Sequence, residues 1–237
     1  MATSQALLVI ADVGGYTRFM RLHKMSIAHA QENVVRLLEA VMDAAPGLEL
    51  SELEGDAAFL YVNEPKAHEI SSSLVAVATA MHSAFHAEQA RLESLRICWC
   101  DACVQTGGLT VKIVAHVGEV AVQELRGRKT IAGVDVILVH RMLKNSVPVP
   151  EYVLMTEPVF DRCRPHLAAH AVPIEQELEG LGSHRLHYVD IETIAEPAAS
   201  PAPPARWVRK ALHLAALDAR SIPYLVGLKQ SRVQTDK

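Results

Sequence analysis

Residues 7–19 read LLVIADVGGYTRF. Leu7 to Ala11 is an apolar run without polar alternation, the pattern of a strand covered on both faces. It meets a carboxylate, Asp12, and then Gly14 and Gly15. A second acid recurs in a similar setting. Residues 51–62, SELEGDAAFLYV, place Asp56 after Gly55 between two strand-like runs. An acid at the end of a buried strand is costly unless it is paired, bonded to amides or ligating a cation. Two such acids on neighbouring strands can hold Mg2+ or Mn2+, hard cations that take oxygen ligands and keep positions open for phosphate oxygens. Gly14 and Gly15 would let backbone amides approach those phosphates at the start of the next helix. A structural alternative stands beside this for each residue: Asp12 caps that helix, and Asp56 occupies a hairpin turn.

Composition narrows the classes. The chain has 237 residues, half of them apolar, enough for one domain with appendages or at most two domains. Its net charge is −4 and its pI about 6.3, so no basic field invites nucleic acid. Arg126, Arg128 and Lys129 read as a solvated hairpin tip. No apolar run reaches the ~18–20 residues of a membrane span. No basic region precedes the short N-terminal apolar run, so a secretory signal is not expected and the cytoplasm is the predicted location.

Hydrophobic periodicity orders the chain. A strand at 6–12 leads to a helix at 15–23 bearing Tyr16, Phe19, Met20 and His23. A longer helix follows Ser26, with Ile27, Ala30, Val34, Leu37, Leu38 and Val41 on one face, and stops at Pro46 and Gly47. Strands at 48–54 and 57–62 join at a tight EGD hairpin. A helix over 66–95 carries Leu74, Val77, Ala78, Met81 and Phe85. Residues 109–125, LTVKIVAHVGEVAVQEL, read as a hairpin turning at Gly118. A helix at 133–145, a strand at 151–155, a helix at 157–163 and strands at 171–178 and 184–191 complete a domain over 1–193. The Pro/Ala-rich stretch 194–205 reads as an extended linker. The tail 206–237 reads as an amphipathic helix broken by Pro223, docking on its own domain or on a partner subunit; Arg206, Arg209 and Lys210 favour a membrane surface as the alternative. The element order predicts an α+β fold, a mostly antiparallel sheet with helices on one side.

Three of the four cysteines, Cys98, Cys100 and Cys103, crowd into CWCDAC. A C-x-C-x2-C loop can give three thiolates to one Zn2+. His82, His86, Asp101, Cys163 or a residue of a second subunit are the candidates for a fourth ligand. Unligated thiols and redox pairing are the alternatives.

Four stretches together carry a resemblance. IADVGGYTRF (10–19) looks like the first strand of class III adenylyl and guanylyl cyclase domains, ELEGDAAFLY (52–61) like their Gly-Asp hairpin, KIVAHVGEVAV (112–122) like their G-I-H-x-G-x-V strand pair, and GVDVILVHRML (133–143) like their arginine-bearing helix. The similarity spans roughly residues 6–191 in preserved order. It is closer still to a bacterial cyclase-like family with an EGDA hairpin, a C-x-C-x-x-C cluster and an HRxLKNS run. The resemblance implies a ferredoxin-like sandwich in which Asp12 and Asp56 are the paired metal-binding aspartates of a two-metal site. It implies that Arg141 stabilises charge on the reacting phosphate, and that Glu52 and Thr130 read the purine, Glu52 being the guanine-type choice. It also implies a homodimer that brings Arg141 of one chain to the aspartates of its mate. His116 matches a patterned histidine and is read as structural, and His140 as a surface or interface residue.

Two departures weigh on activity. The asparagine that orients the ribose is Ile137 here, and the lysine that holds the triphosphate aligns with Glu179. Losing such donors commonly costs ~10²–10³-fold in rate each. His140 and Lys144 flank Arg141 as the groups available to compensate. The leading expectation is a divergent cyclase-like protein that binds a purine nucleotide with a divalent ion, turns over little or none of it, and serves signalling as a sensor or regulatory partner. An active nucleotidyl cyclase, a phosphorus-oxygen lyase, is the second reading. A zinc-stabilised scaffold with a vestigial nucleotide site is the third.

Overall fold

Leu7, Leu8, Val9 and Ala11 have no solvent exposure because β1 (Thr3–Gly14) lies inside the sheet and is covered on both faces. The computed structural model describes residues 3–22, 27–95, 101–125 and 128–194. After β1 come α1 (Tyr16–Leu22), α2 (Ile27–Asp43), the strands β2 (Glu49–Glu54) and β3 (Ala57–Asn63), α3 (Lys66–Ser72), α4 (Leu74–Leu95) and α5 (Asp101–Gln105). Then follow β4 (Thr110–Leu125), β5 (Arg128–Ala132), α6 (Val134–Arg141), β6 (Tyr152–Thr156), α7 (Glu157–Leu167), β7 (Val172–Leu178) and β8 (Gly182–Asp190). The sheet order is β2-β3-β1-β4-β6-β8-β7, with β5 pairing the far end of β4. All pairs are antiparallel except β4 with β6.

The period of two along β1 divides the core. Leu7, Val9, Ala11 and Val13 pack with Phe19 of α1, Val34 and Leu37 of α2, Met81 and Phe85 of α4 and Val159 of α7. Ala6, Leu8 and Ile10 pack instead with Leu138 and Val139 of α6. Most helices therefore lie on one side of the sheet, as expected, and α6 covers the other.

Four local expectations are corrected. The first strand does not end at Asp12. It continues to Gly14, which pairs with Thr110. A Cβ on Gly14 would overlap the Thr110 hydroxyl, so close strand packing accounts for that glycine. The long helix of 66–95 is broken at Ser73, because the hydroxyls of Ser71, Ser72 and Ser73 turn back onto the carbonyls of His68, Glu69 and Ile70. Gly118 is no turn. β4 runs straight through it, and Gly118 pairs with Ala6. A Cβ there would collide with the Asp135 carboxylate, which approaches to accept from the Glu119 amide at 2.6 Å. Finally, α6 stops at Arg141. Asn145 closes the chain behind it, its side-chain amide donating to Met142 O at 2.7 Å and its Oδ1 accepting from Val147 N at 3.1 Å.

No helix among the described residues is long and apolar enough to cross a membrane. Cys98, Cys100, nearly all of the linker and the C-terminal tail lie outside the described residues.

Candidate functional site

Strand register brings the two aspartates together. Asp12 faces Ala57 on one side and Lys112 on the other. Asp56 sits in the β2–β3 turn after Gly55, whose φ of +66° suits glycine, and its carbonyl accepts from Val13 N at 2.9 Å. The juxtaposition is visible in the charges. Burial first, and then the charge of Asp12, push the Asp56 carboxyl above the usual carboxylate range. Tyr16 is pushed up as well, by burial and by Asp56.

The sequence reading missed Lys112. Its Nζ lies 2.9 Å from Asp12 Oδ2, both groups being mostly shielded from solvent. Burial opposes the lysine charge. The hydrogen bond and charge of Asp12, with smaller contributions from Tyr152 and Asp56, outweigh it and hold the pKa above that of an ordinary lysine. The available signal was a single cation inside the apolar run TVKIVAHV. Two neighbouring carboxylates require positive charge, and Lys112 supplies one unit of it to Asp12. The donor set, two acids on adjacent elements, fits a hard divalent cation. Gly15, with φ +85°, accepts from Phe19 N through its carbonyl and lines a shallow cleft of about 350 Å3 with Arg18, Gln105 and Gly108.

Glu52 of β2 and Thr130 of β5 line one cleft of about 600 Å3, together with Glu49, Ser51 and Tyr61. The two residues expected to read a purine are thus brought to the same surface. Arg141 closes α6 and borders a second cleft of about 300 Å3 with Glu54, Ile137, His140 and Lys144. Neither aspartate lines either cleft. Arg141 Nη1 pairs with Glu179 Oε2 at 2.7 Å. Of the two positions that depart from the cyclase pattern, Glu179 pairs with the arginine, and Ile137, half exposed, lines the cleft that the arginine borders. His140 lies 3.6 Å from Glu54 Oε2 and packs edge-on against Phe59.

Among the other histidines, His116 is enclosed between Thr156 Oγ1 at 2.9 Å and Asp135 Oδ1 at 3.1 Å. Burial lowers its pKa despite the nearby carboxylate. These contacts agree with a structural role. Of the cysteine site, only Cys103 falls among the described residues, half-buried in α5. Cys163 is no exposed ligand. It is fully buried, its thiol donates to Val159 O at 3.2 Å, and burial pushes its pKa up to about 11.

A second polar cluster escaped the sequence reading as a unit. His82 and His86, one turn apart on α4, both direct Nε2 at Glu151, the residue before β6. His82 Nε2 lies 2.9 Å from Oε2, and His86 Nε2 lies 3.0 Å from each carboxylate oxygen. Burial alone would raise the Glu151 carboxyl. The two histidines and the Val111 amide outweigh it and hold the group at about 2. The sequence offers His82 and His86 only as partners for the cysteines, and Glu151 carries no signal in it.

Comparison with known proteins follows the same lines. The family model described as "Protein of unknown function (DUF2652)" matches residues 34–152. The Mycobacterium tuberculosis protein named "Uncharacterized protein Rv2561/Rv2562" is 38% identical over 203 residues, covering 84% of this chain and 91% of its own. Among solved structures, the adenylyl cyclase CyaB from P. aeruginosa superposes with a TM-score of 0.60 at 12% identity, over 85% of this chain and 98% of the other. A class III adenylyl cyclase-like ATP-binding protein from Pseudomonas aeruginosa gives 0.55 at 18% identity, over 68% of this chain and 35% of the other. At such identities the structures establish the fold, which is that of class III cyclase domains.

Proposed function

For this chain, which belongs to the family described as Protein of unknown function (DUF2652) and has the fold of class III cyclase domains, we propose a role as a purine-nucleotide-binding protein with little or no turnover. The observation that carries the reading is the split state of the site. Asp12 and Asp56 are assembled and electrostatically coupled, whereas Arg141 is engaged by Glu179 and Ile137 offers no hydrogen bond. Mg2+ or Mn2+ at the aspartates would neutralise phosphate oxygens. Lys112 keeps the acid pair tolerable before that ion arrives and adds a cation for the phosphates afterwards. Glu52 and Thr130 face the purine. The fold also serves a cyclase-like ATP-binding protein, which supports binding as a function in its own right.

Active cyclisation is the second reading, and one observation favours it. The Arg141–Glu179 pair is exposed on both sides, and such pairs hold with only about 0–1 kcal/mol. A bound triphosphate would then draw Arg141 away.

A thermal-shift screen of purine nucleoside triphosphates with Mg2+ and Mn2+, followed by product analysis, separates these readings. Stabilisation by a nucleotide–metal complex without cyclic product is the expected result. Cyclic product would establish the second reading. No stabilisation by any purine nucleotide would leave a scaffold with a vestigial site.

A further inference from the structure

Of the atoms of the His82–His86–Glu151 cluster, one can be assigned its proton by counting. Gln89 Nε2 donates to Thr106 O and to Leu109 O, both at 2.9 Å. Both amide hydrogens are thereby used, which fixes the orientation of the amide and leaves Oε1 as an acceptor only. Oε1 lies 2.9 Å from His86 Nδ1, so Nδ1 carries the ring proton. In a neutral ring Nε2 then bears a lone pair, and it points at a carboxylate 3.0 Å away. A lone pair facing a carboxylate needs a cation between them. His82 brings a second ring nitrogen to the same carboxylate at 2.9 Å.

Two cations meet the requirement: a proton on the ring, or one metal ion shared by all three groups. The metal satisfies both histidines and the carboxylate with a single ion. It leaves in place the Nδ1 proton that Gln89 accepts. Ring nitrogens that ligate metals commonly donate their other N–H to a carbonyl, and Gln89 provides it. The ligand atoms lie within 4.8 Å of one another, and two imidazoles with one carboxylate suit Zn2+. Solvent access also fits. The Glu151 side chain is 6% exposed and that of His82 11%, while His86 at 25% leaves one side open for a water as fourth ligand.

We propose that His82, His86 and Glu151 form a zinc site in which Gln89 orients His86. The ion joins α4 to the start of β6, and through the Val111 amide, 2.9 Å from Glu151 Oε1, to β4. The site stands apart from the nucleotide reading and requires none of the cysteines.

The test uses the full chain. Chelator-treated protein is titrated with Zn2+ against a chromophoric competitor, and the zinc-loaded wild type is studied by X-ray absorption. The expected result is one zinc per chain, a raised melting temperature, and a shell of nitrogen and oxygen at about 2.0–2.2 Å with no sulfur near 2.3 Å. His86→Ala should lose the ion, while Cys100→Ser retains it. The wild-type absorption spectrum reads the ligands even where a variant fails to fold. A sulfur-dominated shell, zinc retained in His86→Ala, or no zinc uptake by the wild type each overturns the assignment.

Discussion

At the scale of single residues, the balance around Asp12 decides what this site can be. Lys112 is the internal cation of an acid pair, and its removal leaves Asp12 and Asp56 facing each other uncompensated. Lys112→Met is expected to destabilise the metal-free protein by about 1–3 kcal/mol, less than for a fully buried pair because water still reaches both groups. Urea denaturation measures this. If the aspartates are a cation site, Mn2+ restores part of the loss, and the same addition to Asp12→Asn restores nothing. A second residue-scale expectation concerns His116. Its folded pKa lies below the ordinary value of 6.5 because burial disfavours the charged ring. The unfolded chain therefore binds the proton more readily, and stability falls as pH drops below about 6.5. Wild type and His116→Gln, melted between pH 7.5 and 5, should diverge, the variant showing the flatter dependence. Parallel curves would show that the buried ring is not the source.

At the scale of elements, β4 is the piece on which the rest is arranged. It lies along β1 for most of its length, pairs with β6 near its start and with β5 near its end. Gly118 makes that continuity compatible with α6, since the Asp135 carboxylate occupies the place a side chain would need. Gly118→Ala should cost about 1–3 kcal/mol as an overpacked contact. Adding Asp135→Ala should recover a measurable part of it, because the two positions touch. A purely additive pair in denaturant melts would show that the glycine serves backbone freedom instead. Element existence and order were largely legible in the sequence, because apolar period and run length are local properties. The failures have local causes that compete with period. The Ser71–Ser73 hydroxyls interrupt a helix that its apolar stripe suggests is continuous. A glycine that serves packing looks the same in sequence as a glycine that makes a turn.

At the scale of the molecule, large apolar side chains remain exposed among the described residues. Val134 and Ile137 are half or more exposed on α6, and Leu50 and Leu53 nearly half on β2. Ile137 lines the cleft that Arg141 borders, and Leu50 and Leu53 line the one that holds Glu52. A twofold dimer that covers them and completes each cleft with the aspartates of the mate is the expected assembly. Sedimentation at micromolar concentration should give a dimer, and Ile137→Glu should shift it to monomer with loss of nucleotide-dependent stabilisation. A wild-type monomer, with or without nucleotide and Mg2+, would remove the shared site and the cyclase reading that needs it.

The sequence by itself determined the α+β class, the order of elements and the positions of Asp12 and Asp56, since each follows from a short apolar run and the residue that ends or joins it. Glu52 and Thr130 came only from the resemblance to cyclase domains, and the fold brings them to one cleft. Only the tertiary structure decided the partners. Lys112 meets Asp12 through the β1–β4 register. Glu179 reaches Arg141 across 38 positions, and Glu151 reaches His82 and His86 across 69 and 65. Such pairs leave no periodic trace, because a charge is placed by its own helix or strand and neutralised by whichever element packing brings beside it.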